Sequence, residues 1–208
     1  MRRFIALVFV GTILSLLFSG FCLAEKIQGE SANVIQSGDY EYVLLEDGTA
    51  QIVDYIAEYP TAEIPETIDG NTVTSIGARA LADCNYLDAI TIPNTVISIG
   101  DFAFSGGGVT EITIPDSVTE IGINPFAYVS SLQKIIVSPD HPILATIDGV
   151  LFRKTDKTIL SYPQGKEDTG YSIPDGITAI GDGAFYYCNA LTTITIPEIG
   201  RASCRERV

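Results

Sequence analysis

The 208-residue sequence has no tryptophan, one methionine and one histidine, and its 12 basic residues are outnumbered by 26 acidic ones. The histidine, His141 in S-P-D-H-P, leaves at most one candidate for a histidine-based metal site or catalytic triad, and its flanking prolines indicate a loop. The formal net charge is −14, and this sign repels phosphate backbones and anionic lipid surfaces. Nucleic acid is therefore not an expected partner, and the acidic excess is typical of a soluble extracellular protein.

Motifs that would carry catalysis are incomplete. Asp168-Thr169-Gly170 matches half of an aspartic-protease site, but no second D-[TS]-G supplies the partner carboxylate. The glycine run Ser105–Gly108 lacks the Lys-Ser/Thr pair of a phosphate loop, and the Asp-Gly pairs lack the carboxylate spacing of a calcium loop. The sequence predicts no enzymatic activity, no cofactor and no metal.

What the sequence does contain is a repeat. An Ile-Gly pair recurs at Ile76, Ile99, Ile121 and Ile180, with intervals of 23, 22 and 59 residues. The last interval is one period plus a 36-residue insertion. A fixed period of this length indicates a solenoid of stacked units.

Apolar residues recur at the same positions of each copy. Two isoleucine positions separated by one residue indicate a strand with an inward face, and the following proline ends that strand. The glycine of each Ile-Gly pair indicates either a left-handed or a close-packed backbone, and the Ala-Phe segment after it is long enough for one 3₁₀ turn. The predicted core columns are Val73, Val96, Val118, Ile177; Leu81, Phe104, Phe126, Phe185; Leu87, Val109, Leu132, Leu191; Ile90, Ile112, Ile135, Ile194; and Ile92, Ile114, Val137, Ile196.

The consensus L-x-x-I-x-I-P-x-x-V-x-x-I-G-x-x-A-F-x-x-C resembles the bacterial BspA-like leucine-rich repeat of surface proteins. The resemblance covers Ile64 to Pro197 apart from the insertion, in four copies. Thr95 and Ser117 stand where an ordinary leucine-rich repeat has Asn or Cys, so an asparagine ladder is not expected. The resemblance implies a right-handed leucine-rich-repeat solenoid with a parallel sheet. It also implies the function of surface proteins that adhere to host matrix proteins or to other cells.

The two ends of the chain differ from the repeat. Residues 1–24 have the charged start, apolar core and small-residue site of a signal peptide, which predicts a secreted or cell-surface protein beginning at Glu25. A lipid anchor at Cys22 is disfavoured by Phe21, and an uncleaved membrane anchor remains the other alternative. Residues 198–208 resemble a translated sequencing adapter, so we expect the native protein to continue beyond Pro197. Without 1–24 and 198–208, 24 acidic and seven basic residues remain, a net charge of −17.

The remaining chain divides into five segments. Residues 25–38 read as a flexible lead, and 39–61 as an N-terminal β-hairpin cap with its turn at Asp47-Gly48. Repeats follow over 62–137 and 173–197. Between them, 138–172 is interpreted as an inserted, projecting β-hairpin around Arg153 and Lys154.

Two cysteines occupy one column, at positions 84 and 188. At ~4.8 Å per rung, three rungs separate them by more than the roughly 7 Å that a disulfide allows. We therefore interpret Cys84 and Cys188 as small buried apolar groups.

These observations favour a non-catalytic protein-binding module similar to adhesins. The alternative is a recognition or spacer module at the N-terminus of a larger secreted enzyme. The predicted binding surface is the outward row of the isoleucine strands: Ala89, Thr91, Glu111, Thr113, Lys134, Ile136, Thr193 and Thr195. A secondary candidate is the basic cluster Arg153, Lys154 and Lys157, whose alternative role is to protect an exposed strand edge from aggregation.

Overall fold

The computed structural model describes residues 33–197, and the interpretations of 1–24 and 198–208 lie outside it. The described chain is a solenoid of seventeen short β-strands. In chain order these are β1 (Ile35–Ser37), β2 (Tyr40–Leu44), β3 (Ala50–Tyr55), β4 (Thr61–Glu63), β5 (Thr67–Ile68), β6 (Asn71–Ile76), β7 (Ala89–Thr91), β8 (Ser98–Ile99), β9 (Glu111–Ile114), β10 (Glu120–Ile121), β11 (Lys134–Val137), β12 (Leu144–Ile147), β13 (Val150–Arg153), β14 (Thr158–Ser161), β15 (Gly170–Ser172), β16 (Ala179–Ile180) and β17 (Thr193–Thr195). Residues 33–197 contain no helix long and apolar enough to cross a membrane.

The first parallel ladder is built from β3 of the cap and from the strands that end at the Ile-Gly pairs at Ile76, Ile99 and Ile121. β3, β6, β8 and β10 lie side by side, and the register aligns Ile52 with Ile76, Ile76 with Ile99 and Ile99 with Ile121. The sequence does not predict this ladder, because strands of two residues are too short to show a period of two. We number the rungs of the solenoid by these strands, with β6, β8 and β10 as rungs 1, 2 and 3.

Glycine follows β6, β8 and β10 because neighbouring rungs approach too closely for a side chain. A Cβ at Gly100 would lie 2.5 Å from the backbone nitrogen of Ala78, and one at Gly122 would lie 2.5 Å from the backbone nitrogen of Asp101. Neither glycine has a positive φ. The sequence leaves open whether these glycines adopt a left-handed conformation or allow close packing of the backbone, and the structure shows close packing.

The second parallel ladder is the one the sequence predicts. It pairs β4 with β7, β9 with β11 and β15 with β17. Its inward residues are buried in the middle of the stack, where Ile112 lies opposite Ile135. In the last described rung, Ile194 and Ile196 are 39% and 63% exposed, so that end of the solenoid presents part of its apolar interior.

The bulky column between the ladders forms the centre of the core. Leu81, Phe104 and Phe126 are at most 2% exposed, and the two phenylalanine rings stack at 5.6 Å between centroids. Phe185 occupies the same column but is only partly buried. Within the described residues no later rung covers Phe185, so the prediction that Phe185 is a buried core residue is wrong.

A third set of inter-rung hydrogen bonds runs along the corners, which are the segments connecting the first ladder to the second within a rung. Single bonds between residues three apart are present, such as Ala80 N–H to the Gly77 carbonyl at 3.2 Å, but left-handed residues interrupt the predicted 3₁₀ turn. The corner bonds from rung 1 to rung 2 run from the N–H groups of Arg79, Leu81 and Asp83 to the carbonyls of Asp101, Ala103 and Ser105, at 3.0, 2.7 and 2.6 Å.

The N-terminal cap has the predicted hairpin and one strand more. β2 and β3 pair antiparallel around the turn at Asp47 and Gly48, and β3 continues into the first ladder. β1 pairs antiparallel with β2, so the cap extends into the segment interpreted as a flexible lead. The turn between β1 and β2 uses Gly38 at a φ of +57°.

The insertion is a β-hairpin, as predicted, but it does not project. β13 and β14 pair antiparallel, and β14 pairs in parallel with β16, aligning Ile159 with Ile180. Together with β12 these strands form a four-stranded sheet that is separate from the first ladder. Leu151 and Ile159 are fully buried, Leu151 in the main core and Ile159 in a second, smaller buried cluster. The insertion therefore supplies rung 4, at β14, and β16 is rung 5.

The inserted hairpin repeats the geometry of the cap. In both, the second hairpin strand pairs in parallel with a strand that ends at an Ile-Gly pair, and it has a tyrosine three residues after its aligned isoleucine. The Tyr55 N–H donates to the Ala80 carbonyl at 3.0 Å, and the Tyr162 N–H donates to the Ala184 carbonyl at 2.8 Å. The smaller of two buried clusters is built around this second hairpin. We interpret the chain as two consecutive units, each a hairpin followed by rungs.

Candidate functional site

The eight residues predicted to point outward all lie on the outer side of the second ladder. Ile136 is half-buried and the other seven are exposed. The register sets Glu111 beside Lys134 and Thr113 beside Ile136 on adjacent strands. Their positions on the face are as predicted, and whether they bind a partner remains a prediction.

The same outer row has members that the sequence analysis missed. Thr61 and Glu63 of β4 align with Ala89 and Thr91, and β15 adds Gly170 and Ser172 beside β17. These strands escaped notice because the first repeat is expanded and β15 follows the insertion, so neither shows the consensus spacing.

The outer row is divided by the inserted hairpin. The N–H of Ile135 donates to the Gly149 carbonyl at 3.2 Å, so the turn at Asp148 and Gly149 lies beside β11. We call the part formed by β4, β7, β9 and β11 the strand face. β15 and β17 form a separate pair, which carries Thr193 and Thr195.

A groove opens where rung 4 has a shorter corner. Thirteen positions separate Ile121 from Lys134 in rung 3, whereas eleven separate Ile159 from Gly170 in rung 4. Rung 3 consequently reaches rung 5 directly at one point. The buried side chain of Asn124 donates to the Gly183 carbonyl at 2.6 Å and accepts the Ser161 hydroxyl at 2.7 Å.

This groove has a volume of about 690 Å³ and mixed polar and aromatic walls. We call it the tyrosine groove. Arg79 lies over the ring of Phe102, with 5.7 Å between its guanidinium carbon and the ring centroid. The groove is lined by Arg79, Ala82, Asp83, Phe102, Ser105, Ile123, Tyr128, Asp182, Gly183 and Tyr186.

Several lining residues hold a left-handed backbone conformation that bulky side chains rarely adopt. Phe102 and Tyr128 have φ angles of +54° and +61°. Gly183 and Gly106 occupy the corresponding positions of other rungs, with φ angles of +67° and +73°. The corner geometry requires the conformation, which costs roughly 1–2 kcal/mol for a residue with a side chain and little for glycine.

Three tyrosines meet at one end of the groove. The ring of Tyr128 in rung 3 lies 5.1 Å from that of Tyr186 and 4.6 Å from that of Tyr187, both in rung 5. The hydrogen bond between the Tyr128 and Tyr186 hydroxyls, together with desolvation, raises the pKa of Tyr128 to about 12. The rings remain 42%, 46% and 51% exposed, so they present aromatic surface to solvent.

Sequence reasoning could not find the groove. The Tyr186-Tyr187 pair is visible in the sequence, but Tyr128 lies 58 positions earlier, and only the shortened corner of rung 4 brings the two together.

A family model supports the repeat assignment independently of this geometry. The model for the BspA type leucine rich repeat region matches residues 59–171 and 164–203, in six copies. This chain belongs to the BspA-type leucine-rich repeat family. The match includes two copies more than the four aligned from the sequence, and it reaches residue 203, beyond Pro197.

Two solved structures are similar to this chain. The pneumococcal vaccine antigen PcpA superposes with a TM-score of 0.55 at 18% identity, over 80% of this chain and 65% of that one. A leucine rich cell surface protein from Faecalibacterium prausnitzii has a TM-score of 0.45 at 20% identity, over 80% of this chain and 77% of that one. A comparison with curated proteins finds no match.

The basic cluster of this BspA-type chain is engaged within its own hairpin. Arg153 pairs with Asp156 at 3.1 Å. Lys154 Nζ donates to the Pro139 and His141 carbonyls at 3.2 and 2.6 Å. Lys157 holds a turn position with a φ of +54°. These contacts stabilise the hairpin turn and the preceding loop, which favours a structural role for the cluster.

His141 lies in a loop, as predicted, and its side chain is 1% exposed. Its Nδ1 accepts the N–H groups of Ile143 and Leu144 at 3.2 and 3.1 Å. Burial lowers the pKa of His141, while the carboxylate of Asp116 opposes that shift. The neutral ring thus organises the loop.

The two column cysteines of this BspA-type repeat are not joined in a disulfide within residues 33–197. Cys84 is buried, whereas Cys188 in the last described rung is only partly covered. Burial raises the pKa of the Cys188 thiol to about 11, which slows its reaction with thiol reagents at neutral pH.

Proposed function

We propose that this chain is a non-catalytic protein-binding module that acts on or outside a bacterial cell, in the manner of an adhesin. The observation that carries the proposal is the strand face. Four neighbouring strands, paired as β4 with β7 and β9 with β11, expose a row of side chains on one side of the solenoid, and threonine occupies that row at Thr61, Thr91 and Thr113. Solenoids use extended surfaces of this kind to engage partners.

The side chains of the strand face are suited to close approach. Threonine and alanine are short, so a partner backbone or side chain can come near the sheet without displacing long flexible groups, whose ordering would oppose binding. Ile136 adds an apolar contact at one edge, and the Glu111 and Lys134 pair adds charges of both signs. This mixture is typical of the surfaces of non-obligate complexes.

The placement of His141 also supports a binding role over a catalytic one. Its Nδ1 already accepts two backbone N–H groups, and its ring is 1% exposed. A general base must reach the proton it removes, and this ring cannot reach a ligand bound outside the loop.

The proposal is tested by measuring binding and turnover on the same purified protein. Biolayer interferometry against immobilised extracellular-matrix proteins and flow cytometry with whole cells should show saturable binding. Generic peptide and glycoside substrates should remain intact during prolonged incubation. Turnover of any of these, or lack of binding to every surface, would overturn the proposal.

A further inference from the structure

The tyrosine groove contains aromatic rings that the fold does not require. Glycine satisfies the corner conformation at Gly106 and Gly183, whereas Phe102 and Tyr128 occupy the matching positions with rings. Tyr128 and Tyr186 remain 42% and 46% exposed. Their aromatic faces are therefore available to a ligand rather than consumed by core packing.

The charge around the groove indicates what that ligand carries. Residues 39–120 include fifteen acidic side chains and one basic side chain, Arg79. Asp83 and Asp182 lie in the groove wall itself. A cationic partner is attracted by this field, and a polyanionic one is repelled.

We propose that the tyrosine groove binds an extended basic segment of a partner protein. An arginine or lysine of that segment lies against the Tyr128 and Tyr186 rings, between the carboxylates of Asp83 and Asp182. Cations bind over tyrosine faces within about 6 Å of the ring centroid. The volume of about 690 Å³ falls in the range of roughly 300–1,000 Å³ found for ligand pockets.

Arg79 orients this segment. Its guanidinium already lies 5.7 Å from the centroid of Phe102, so that ring is occupied by the protein's own cation. Because like charges repel, the partner's cation is directed to the tyrosine end of the groove, beside Asp182. The groove lies on the corners of the rungs and is distinct from the strand face. An experiment can therefore disprove binding at one of these sites without disproving binding at the other.

The test uses fluorescence anisotropy with a labelled decapeptide of alternating arginine and proline, since proline keeps the chain extended. The same peptide with glutamate in place of arginine, and a neutral hexasaccharide, serve as competing ligand classes. Tyr186→Ala and Asp182→Asn remove one ring and one charge from the groove. Tyr59→Ala and Asp175→Asn make the same changes at exposed positions outside the groove lining.

The wild-type protein should bind the arginine peptide and not the glutamate peptide, and raising the salt concentration should weaken binding. Each groove variant should raise Kd by roughly tenfold, as expected for loss of a partly desolvated cation–π contact or its flanking charge. The control variants, and the strand-face variant Thr91→Lys, should stay within about twofold. Equal effects of groove and control variants would show non-specific attraction to the acidic surface and overturn the proposal. Preference for the hexasaccharide, or no binding of the arginine peptide, would overturn it as well.

Discussion

Replacing Phe104 by alanine tests whether the bulky column holds the solenoid together. The Phe104 side chain is fully buried and stacks on Phe126 with 5.6 Å between ring centroids and 10° between ring planes. Emptying such a site costs about 3–5 kcal/mol of unfolding free energy. For a folded segment of this length each kcal/mol shifts Tm by about 2–4 °C, so Tm should fall by roughly 6–20 °C.

Phe185→Ala is the matched control, because it makes the same change in the same column where the ring is only partly buried. Its cost should be less than half that of Phe104→Ala, since less apolar surface is removed from the core. Urea denaturation followed by circular dichroism measures both. Equal losses for the two variants, or a loss below about 1 kcal/mol for Phe104→Ala, would show that the column is not the core.

Three further predictions follow from single residues. Asn124→Ala should lower the unfolding free energy by about 2–4 kcal/mol, because the Gly183 carbonyl and a buried hydroxyl lose their partner; a neutral effect in urea denaturation would contradict this. The lowered pKa of His141 means that the unfolded chain binds the proton more readily. The stabilisation that neutral His141 gives the folded protein should therefore be complete above about pH 6.5 and should decline as the pH falls through the pKa of His141 in the folded protein. Urea midpoints measured at pH 7.5, 6.5 and 5.5 should show this decline, and His141→Asn should make the decline smaller. A maleimide reagent without reductant should label Cys84 only after denaturation and Cys188 slowly in the native protein; labelling of either thiol only after reduction would reveal a disulfide.

The sequence predicts the parts of the fold that are encoded by the repeat itself. The isoleucines at positions such as Ile112 and Ile194 alternate with polar residues and recur at the same position of each repeat, so their ladder follows from periodicity. The cap hairpin follows from an Asp-Gly turn between two β-rich runs. The outward placement of Thr91 and Thr113 then follows, because side chains alternate across a strand.

The remaining features depend on how the rungs stack. Ser98–Ile99 forms a strand because its neighbours in adjacent rungs supply hydrogen bonds, and two residues carry no periodic signal. Two β-rich runs around a polar turn predict an inserted hairpin that projects, but residues of this hairpin such as Leu151 and Ile159 are fully buried. The tyrosine groove results from the corner of rung 4, which is two residues shorter than the corner of rung 3. Only the stacked rungs show where the shorter corner lies.

The most direct measurement of the central claim compares two lysine variants for binding to the partner surface found by interferometry. Thr91→Lys with Thr113→Lys places two long cationic side chains on adjacent strands of the strand face, and Thr195→Lys makes the same change on the separate strand pair. All three positions are exposed, so both variants should keep the wild-type circular dichroism spectrum and Tm. The double variant should lose at least tenfold in affinity while Thr195→Lys stays within about twofold. Retained affinity in the folded double variant would contradict the assignment of the strand face as the binding surface.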